Sequence, residues 1–342
     1  MATPAAVARV DRSGMLEHVR STPDQLREGY RVGTSAEAGE AHRIAFAGVG
    51  GSAIAADVFC AFARDRSQVP LEVVRHSEPP AYLGEGDLLV AVSYSGATEE
   101  TIGAAQIALR KGCTLVAITS GGRLRDLARA HAATVLEIPA GLPPRAAFGH
   151  LFGAILGLGR SWLDADLSAD PESAANHLEQ LRGSCDPEVP ESRNPAKAIA
   201  RAIRGRTAVV YGAPPYGPVA LRWKTQLNEN ARVHAFAGAF PEADHNEIVG
   251  WSYDAAARRF LPIILRDRDE SPEMRRRLDA TRDLLGRKVK VREVRDDGKT
   301  LLARMLGTLL LGDYASVYLA VLLGRDPTPT APIAELKRRL AR

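Results

Sequence analysis

The chain is expected to be an α/β protein built from two doubly wound, flavodoxin-like αβα units, each around a parallel sheet. Three observations lead there. Short apolar runs rich in Val and Ile alternate with helical patterns along most of the 342 residues. Glycine-rich turns close several of those runs, where open parallel sheets bind ligands. The alternation loosens once, near the middle, and then restarts; a chain this long is also expected to divide its core between two domains.

Taken in order, Met15–Arg20 reads as a short amphipathic helix, and Pro23 opens another that runs to about Tyr30. The first strand is Arg43–Ala47, ending in Gly48-Val-Gly-Gly-Ser52 before a helix over Ala53–Ala63. Strands follow at Leu71–Arg75, Leu88–Val92, Leu115–Thr119 and Thr134–Ile138, with a helix over Glu99–Lys111 and another after Ser120-Gly-Gly122. Pro171, Pro187, Pro190 and Pro195 mark a connection, within which Pro171–Leu181 has a helical pattern. The second series has strands at Arg206–Tyr211, Val233–Phe236, Leu261–Leu265 and Lys288–Glu293, and helices at Pro218–Asn228, Pro272–Leu285 and Leu301–Leu323. RIAFAGVGGSAIAADVF and RTAVVYGAPPYGPVALRW are each strand, turn and helix, which reads as a weak internal duplication.

Composition narrows the function classes. Hydrophobic residues make up 45% and charged residues 25%, ordinary for a soluble globular protein. The net charge of +4 comes from scattered arginines in helical patterns, and aromatics are only 6%, so no nucleic-acid partner is expected. The positive balance does favour an anionic, phosphorylated ligand. Three cysteines, Cys60, Cys113 and Cys185, have no metal spacing, which fits a reducing cytoplasm. The N-terminus lacks an apolar signal core. Phe148–Trp162 carries His150 and Arg160, and Leu301–Leu323 carries Arg304 and Asp313, so both are expected to be buried helices and no membrane partner is expected.

Two turns carry the functional signal. Gly48-Val-Gly-Gly51-Ser52 lacks both the third glycine of a dinucleotide fingerprint and the lysine of a P-loop. Ser93-Tyr-Ser95-Gly-Ala-Thr98-Glu-Glu sets three hydroxyls at a strand-to-helix turn, where free N–H groups and the helix dipole favour an anion. Together Gly51, Ser52, Ser93, Ser95 and Thr98 form a cradle of neutral donors for a monophosphate, a group that needs no metal to be held this way. The competing reading makes these hydroxyls plain helix caps. Thr119, Ser120 and Gly121 form a third turn, read as caps or pocket lining.

The ordered set GVGGSAIAAD, SYSGATEET, GLPPRAAFGHLFG, WKTQLNENARV, FPEADHNEIVGW and GDYASVYLAVLLGRDPTPTAPIAELKRRL resembles the bifunctional phosphoglucose/phosphomannose isomerases, a branch of the phosphoglucose isomerase superfamily whose sugar isomerase (SIS) domains bind phosphosugars. GVGGSAIAAD departs from the family's GMGGSAIGGD-like form. The resemblance spans nearly the whole chain. It implies an N-terminal SIS domain over 1–160 that binds phosphate, a connection over 161–195, and a C-terminal SIS-like domain over 196–342 with catalytic residues. It implies a cytoplasmic aldose–ketose isomerase joining glucose 6-phosphate and mannose 6-phosphate to fructose 6-phosphate, a reaction of glycolysis and gluconeogenesis.

That chemistry needs a carboxylate base whose pKa burial raises, a proton carrier for ring opening, and a cation for the cis-enediolate. Glu229, flanked by the amides of Asn228 and Asn230 that can orient it, takes the first role by resemblance. His245 takes the second, and the resemblance implies that it enters the site from the partner subunit of a homodimer. Arg145, held between prolines and a buried helix, takes the third. Lys337 corresponds to the family's C-terminal lysine beside the sugar hydroxyls. Glucose and mannose 6-phosphates share one enediolate, and the resemblance has the Asp326–Thr330 loop control the room for both, with Thr328 or Thr330 lining the pocket. No zinc spacing and no cofactor motif is present, and none is expected. Two alternatives stay open: a non-catalytic sugar-phosphate-binding SIS protein, and a SIS isomerase acting on a different phosphosugar.

Overall fold

The computed structural model describes residues 2–163 and 170–340, the side chains of 170, 337 and 340 excepted. Three helices lead in: α1 (Pro4–Val10), α2 (Met15–Arg20) and α3 (Thr22–Thr34). Asp11 accepts the backbone N–H groups of Met15 at 2.8 Å and Leu16 at 2.7 Å, which starts α2. The first unit then runs β1 (Ile44–Ala47), α4 (Gly51–Ala63), β2 (Leu71–Val74), β3 (Leu88–Val92), α5 (Glu99–Arg110), β4 (Thr114–Thr119), α6 (Gly122–Ala130), β5 (Thr134–Glu137) and α7 (Phe148–Leu158). Its parallel strands lie in the order β2-β1-β3-β4-β5. β1 and β3 are buried at every position, which is why they read as continuous apolar runs rather than as alternations.

The connection carries α8 (Asp170–Ser184), longer than expected at both ends, and α9 (Pro195–Ile203). Its stretch 164–169 lies outside the described residues. The second unit runs β6 (Thr207–Gly212), α10 (Gly217–Glu229), β7 (Ala235–Ala239), α11 (Glu247–Tyr253), β8 (Phe260–Arg266), α12 (Pro272–Gly286) and β9 (Arg292–Arg295), followed by α13 (Leu301–Leu322) and α14 (Ala331–Leu340). Its order, β7-β6-β8-β9, repeats that of the first four strands of the other sheet, again all parallel. The expected strand over 288–293 begins only at Arg292. Lys288 and Val289 give their N–H groups to the Leu285 carbonyl at 2.9 Å, so the end of α12 consumes donors that a ladder would need.

One contiguous core joins the halves, from Phe46 and Val90 through α13 to Val210 and Leu265. α13 has the length and hydropathy of a membrane span, yet 94% of its most apolar window is buried in the protein. Its two charges are paired: Arg304 with Asp267 at 2.9 Å and Asp313 with Arg222 at 2.7 Å.

The strap after β5, residues 138–147, runs into α7, which crosses α3 backbone to backbone. A Cβ on Gly153 would meet the Leu26 carbonyl oxygen at 2.5 Å, and one on Gly29 the His150 carbonyl oxygen at 2.3 Å. Only hydrogen fits at this seam. Gly153→Val is therefore expected to destabilise the protein by about 3 kcal/mol through overpacking, read as a lowered urea midpoint; an unchanged midpoint refutes the close approach.

Candidate active site

The order β2-β1-β3 puts the topological switch point between β1 and β3. The GVGGS and SYSGATEE turns leave the carboxyl ends of these paired strands, and Ala47 lies in register with Ala91. Neither following helix has a side-chain cap: α4 starts after Gly50, and Thr98, the residue before α5, makes no capping bond. The cap reading of these hydroxyls thus fails, and the first N–H groups of both helices stay available to a ligand. Ser93 Oγ and Thr98 Oγ1 share a hydrogen bond at 2.9 Å, and Ser95 Oγ accepts the Ala97 N–H at 3.3 Å. Ser52 and Ser93 are buried and Ser95 is exposed, so the hydroxyls line the turn from floor to rim.

The third turn braces the second. Ser120 Oγ donates to the Tyr94 carbonyl at 2.6 Å and Thr119 Oγ1 to the Gly121 carbonyl at 2.8 Å, so both hydroxyls are committed to the backbone rather than to a helix cap. Gly96 has φ +63, and a Cβ there would fall 1.7 Å from the Gly121 oxygen. No other residue fits that position.

Tyr94 also reaches the strap after β5. Its hydroxyl donates to the Pro139 carbonyl at 3.0 Å and accepts the Leu142 N–H at 2.9 Å. The strap ends in a 3-10 turn, Pro144–Ala146, which sets Arg145 over the first turn, the Arg145 Cα lying 3.6 Å from where a Gly51 Cβ would be. The departure from the family's glycines on α4 is absorbed, since Ala55 and Ala56 are fully buried against their neighbours.

Arg145, 7% exposed, faces the end of α10, which packs against α4. Its Nη1 lies 3.7 Å from Glu229 Oε2. Nε donates to Asn230 Oδ1 at 2.7 Å, and Nη2 donates to the carbonyls of Pro327 at 2.7 Å and Thr328 at 3.0 Å. Burial lowers the affinity of Arg145 for its proton and the Glu229 carboxylate opposes that, while a guanidinium stays charged at neutral pH throughout. The Glu229 side chain retains 32% exposure, so it is open to a ligand.

The flanking amides do not orient Glu229. Asn228 donates to the Val233 carbonyl at 3.1 Å, and Asn230 binds Arg145 and, at 2.9 Å, Ser316. Thr328, not Thr330, is hydrogen-bonded to Arg145, through its carbonyl; its own hydroxyl oxygen is buried without a hydrogen-bond partner. His245 is exposed just before α11 and makes no hydrogen bond or ion pair with Glu229 or Arg145. Lys337 falls in α14, and its side chain lies outside the described residues.

Reading the sequence missed Arg222, Gln226 and Ser316, and it gave Asn230 and Asp313 other roles than the ones they have here. Arg222 donates to Asp313 at 2.7 and 3.1 Å and to the Arg145 carbonyl at 2.9 Å. For Arg222, Gln226 and Asn230 the signal was polar residues at every fourth position along α10 and its C-cap, on a helix whose Val219, Ala220, Trp223 and Leu227 are core.

Residues 39–140 match the SIS domain family, and residues 192–340 match the family described as bacterial phospho-glucose isomerase C-terminal SIS domain. The chain is 37% identical over 335 residues to a bifunctional phosphoglucose/phosphomannose isomerase of Caldicellulosiruptor bescii, covering 96% of this chain and 99% of that one. It is 28% identical to a D-glucosamine-6-phosphate 4-epimerase of Sulfolobus acidocaldarius, covering 87% and 89%. Among solved structures, a hypothetical protein of Thermus thermophilus shares the fold at TM-score 0.76 and 17% identity, covering 100% of this chain and 93% of that one.

Proposed function

The chain belongs to the bifunctional phosphoglucose/phosphomannose isomerase family, and from that premise we propose that it interconverts glucose 6-phosphate and mannose 6-phosphate with fructose 6-phosphate through a cis-enediolate. One observation carries the reading: a carboxylate and a buried guanidinium stand 3.7 Å apart, beside two hydroxyl-bearing turns whose helices lack side-chain caps.

The phosphate sits at the switch point, gripped by Ser52, Ser93, Ser95 and Thr98 and by the N–H groups from Gly51 onward. Held there, the sugar extends its carbonyl end toward the end of α10. Glu229 takes the proton from C2 of the aldose and returns it to C1; in the reverse direction it takes it from C1. The negative charge that develops on the two oxygens is met by Arg145. Because C2 becomes planar in the enediolate, glucose and mannose epimers pass through the same intermediate. Lys337 is assigned to the sugar hydroxyls.

The ring-opening group is supplied across a homodimer. α11 has no buried residue, Val249 and Tyr253 are 57% and 87% exposed, and Phe236 on the edge strand β7 is 51% exposed. Exposed apolar groups on β7 and on α11, the helix that His245 leads into, fit a surface covered by a second copy. The partner subunit's His245 then protonates the ring oxygen and accepts the anomeric proton. We assign the enzyme to the cytoplasm, at the fructose 6-phosphate step shared by glycolysis and gluconeogenesis.

Coupled assays with glucose 6-phosphate, mannose 6-phosphate and glucosamine 6-phosphate test the reaction. Turnover of the first two is expected; turnover of glucosamine 6-phosphate alone overturns the assignment. Ser95→Ala combined with Thr98→Ala is expected to raise KM for every phosphosugar by about tenfold, one or two lost charge-assisted hydrogen bonds, with kcat little changed. An unchanged KM removes the phosphate from this turn. Mixed dimers of Glu229→Gln and His245→Ala chains are expected to recover part of the activity, since one of the two sites is then intact. No recovery under proven subunit exchange places the histidine in its own subunit's site.

A further inference from the structure

We propose that Asn230 is a positioning residue for Arg145: the last rung of a buried polar stripe on α10 that fixes the plane of the guanidinium and decides which of its donors faces the sugar. The proposal rests on the assignment of Arg145 to the enediolate given above and adds how the chain aims it.

A guanidinium has five N–H donors in one plane. Three are spent on the protein: the single Nε–H on Asn230 Oδ1 at 2.7 Å, and the pair on Nη2 on the carbonyls of Pro327 at 2.7 Å and Thr328 at 3.0 Å. What remains is Nη1, with both its hydrogens, on the side of Glu229. The bonds to Nε and Nη2 together prevent rotation about the Cδ–Nε bond. Without the Nε bond the plane is held by one nitrogen only.

The orientation of the Asn230 amide is itself dictated. Its nitrogen donates to Ser316 Oγ at 2.9 Å, and Ser316 Oγ donates to the Asp313 carbonyl at 2.7 Å, so the amide oxygen must be the atom turned to Arg145. Asn230 is 0% exposed, so bulk solvent does not reach that oxygen. Two turns earlier on the same stripe, Arg222 is clasped by Asp313 and gives its Nη2 to the Arg145 carbonyl at 2.9 Å. α10 therefore holds Arg145 by main chain and side chain at once, and α13 stands behind both rungs. A helix interface that served cohesion alone would bury apolar groups here at lower cost. This one spends polar groups along a line that ends at the catalytic cation.

Preorganised donors stabilise developing charge because they need no reorganisation during the reaction, and a displacement of about 1 Å costs on the order of a hundredfold. The test is a kinetic double-mutant cycle on the full-length enzyme with fructose 6-phosphate. Asn230→Ala is expected to lower kcat by about 10- to 100-fold while KM stays within about threefold, because the phosphate cradle is untouched. In the Arg145→Lys background the same substitution is expected to cost nothing further, since lysine has no Nε–H for the amide to hold. Loss of thermal stability with unchanged kcat, or losses that add in full across the two positions, overturns the proposal. Should Asn230→Ala fail to fold, Ser316→Ala frees the amide to flip and is expected to lower kcat several-fold at constant KM; unchanged kcat there overturns it too. Wild-type rates in Arg145→Lys alone instead overturn the role of Arg145, a result distinct from loss in Arg145→Lys with none in Asn230→Ala.

Discussion

Glu229→Gln is expected to lower kcat for fructose 6-phosphate by about 10³-fold, the contribution of a positioned general base, while the sugar phosphate still binds within about threefold. Glutamine preserves the shape and the hydrogen-bonding oxygen but cannot accept the C1 or C2 proton. Binding is expected to survive because the proposed phosphate grip lies in the other half of the chain, at the turns after β1 and β3. Glutamine also leaves Arg145 without its charge partner at 3.7 Å, and Asn230 with the two loop carbonyls keeps the guanidinium in place. A coupled assay gives kcat and calorimetry gives the dissociation constant. Near-normal turnover refutes the base, and lost binding with lost turnover shows that Glu229 holds the sugar rather than moving its proton.

Asp313→Ala is expected to cost about 3–5 kcal/mol, because it strands the buried Arg222 charge. The two side chains are only 2% and 3% exposed and meet at 2.7 Å. Burial pushes the Asp313 carboxyl above its usual range while Arg222 and Gln226 pull it down, so the pair is mutually dependent. The thermal midpoint is expected to fall by about 4–7 °C. Replacing both partners, Arg222→Met with Asp313→Leu, is expected to regain much of that stability, since no lone charge remains. It is not expected to regain activity, because the Arg145 carbonyl loses its donor. A double variant as unstable as the single one shows that the ion pair is not the source of the loss.

The fold was legible wherever local pattern determines structure. β1, β3 and the helices after them announced themselves by continuous apolar runs and glycine turns, and α12 by its Pro272 start. The end of α12 misled, because alternating Lys and Val residues look like a strand whether or not their N–H groups are already taken by Leu285. Both hydroxyl turns, Arg145 and Glu229, which the structure brings to one candidate site, could be named from motifs. That the amides beside Glu229 serve Arg145 and Val233 could not, since an asparagine's sequence neighbours do not reveal where its amide points.

Sequence alone therefore determined the alternation of strands and helices, the hydroxyl-rich turns and the family to which the ordered motifs belong. These depend on residues a few positions apart, whose relative placement the backbone geometry of one element already sets. Tertiary structure alone decided which partners neutralise the two charges of α13, that Gly29 and Gly153 lie on one seam, and that Arg145 meets Glu229. The same docking of α10 against α13 and the strap joined Asp313, Arg222 and Asn230 into a support for that arginine. Such contacts depend on the angle and depth at which distant elements pack, and packing of that kind leaves no periodic trace in the chain.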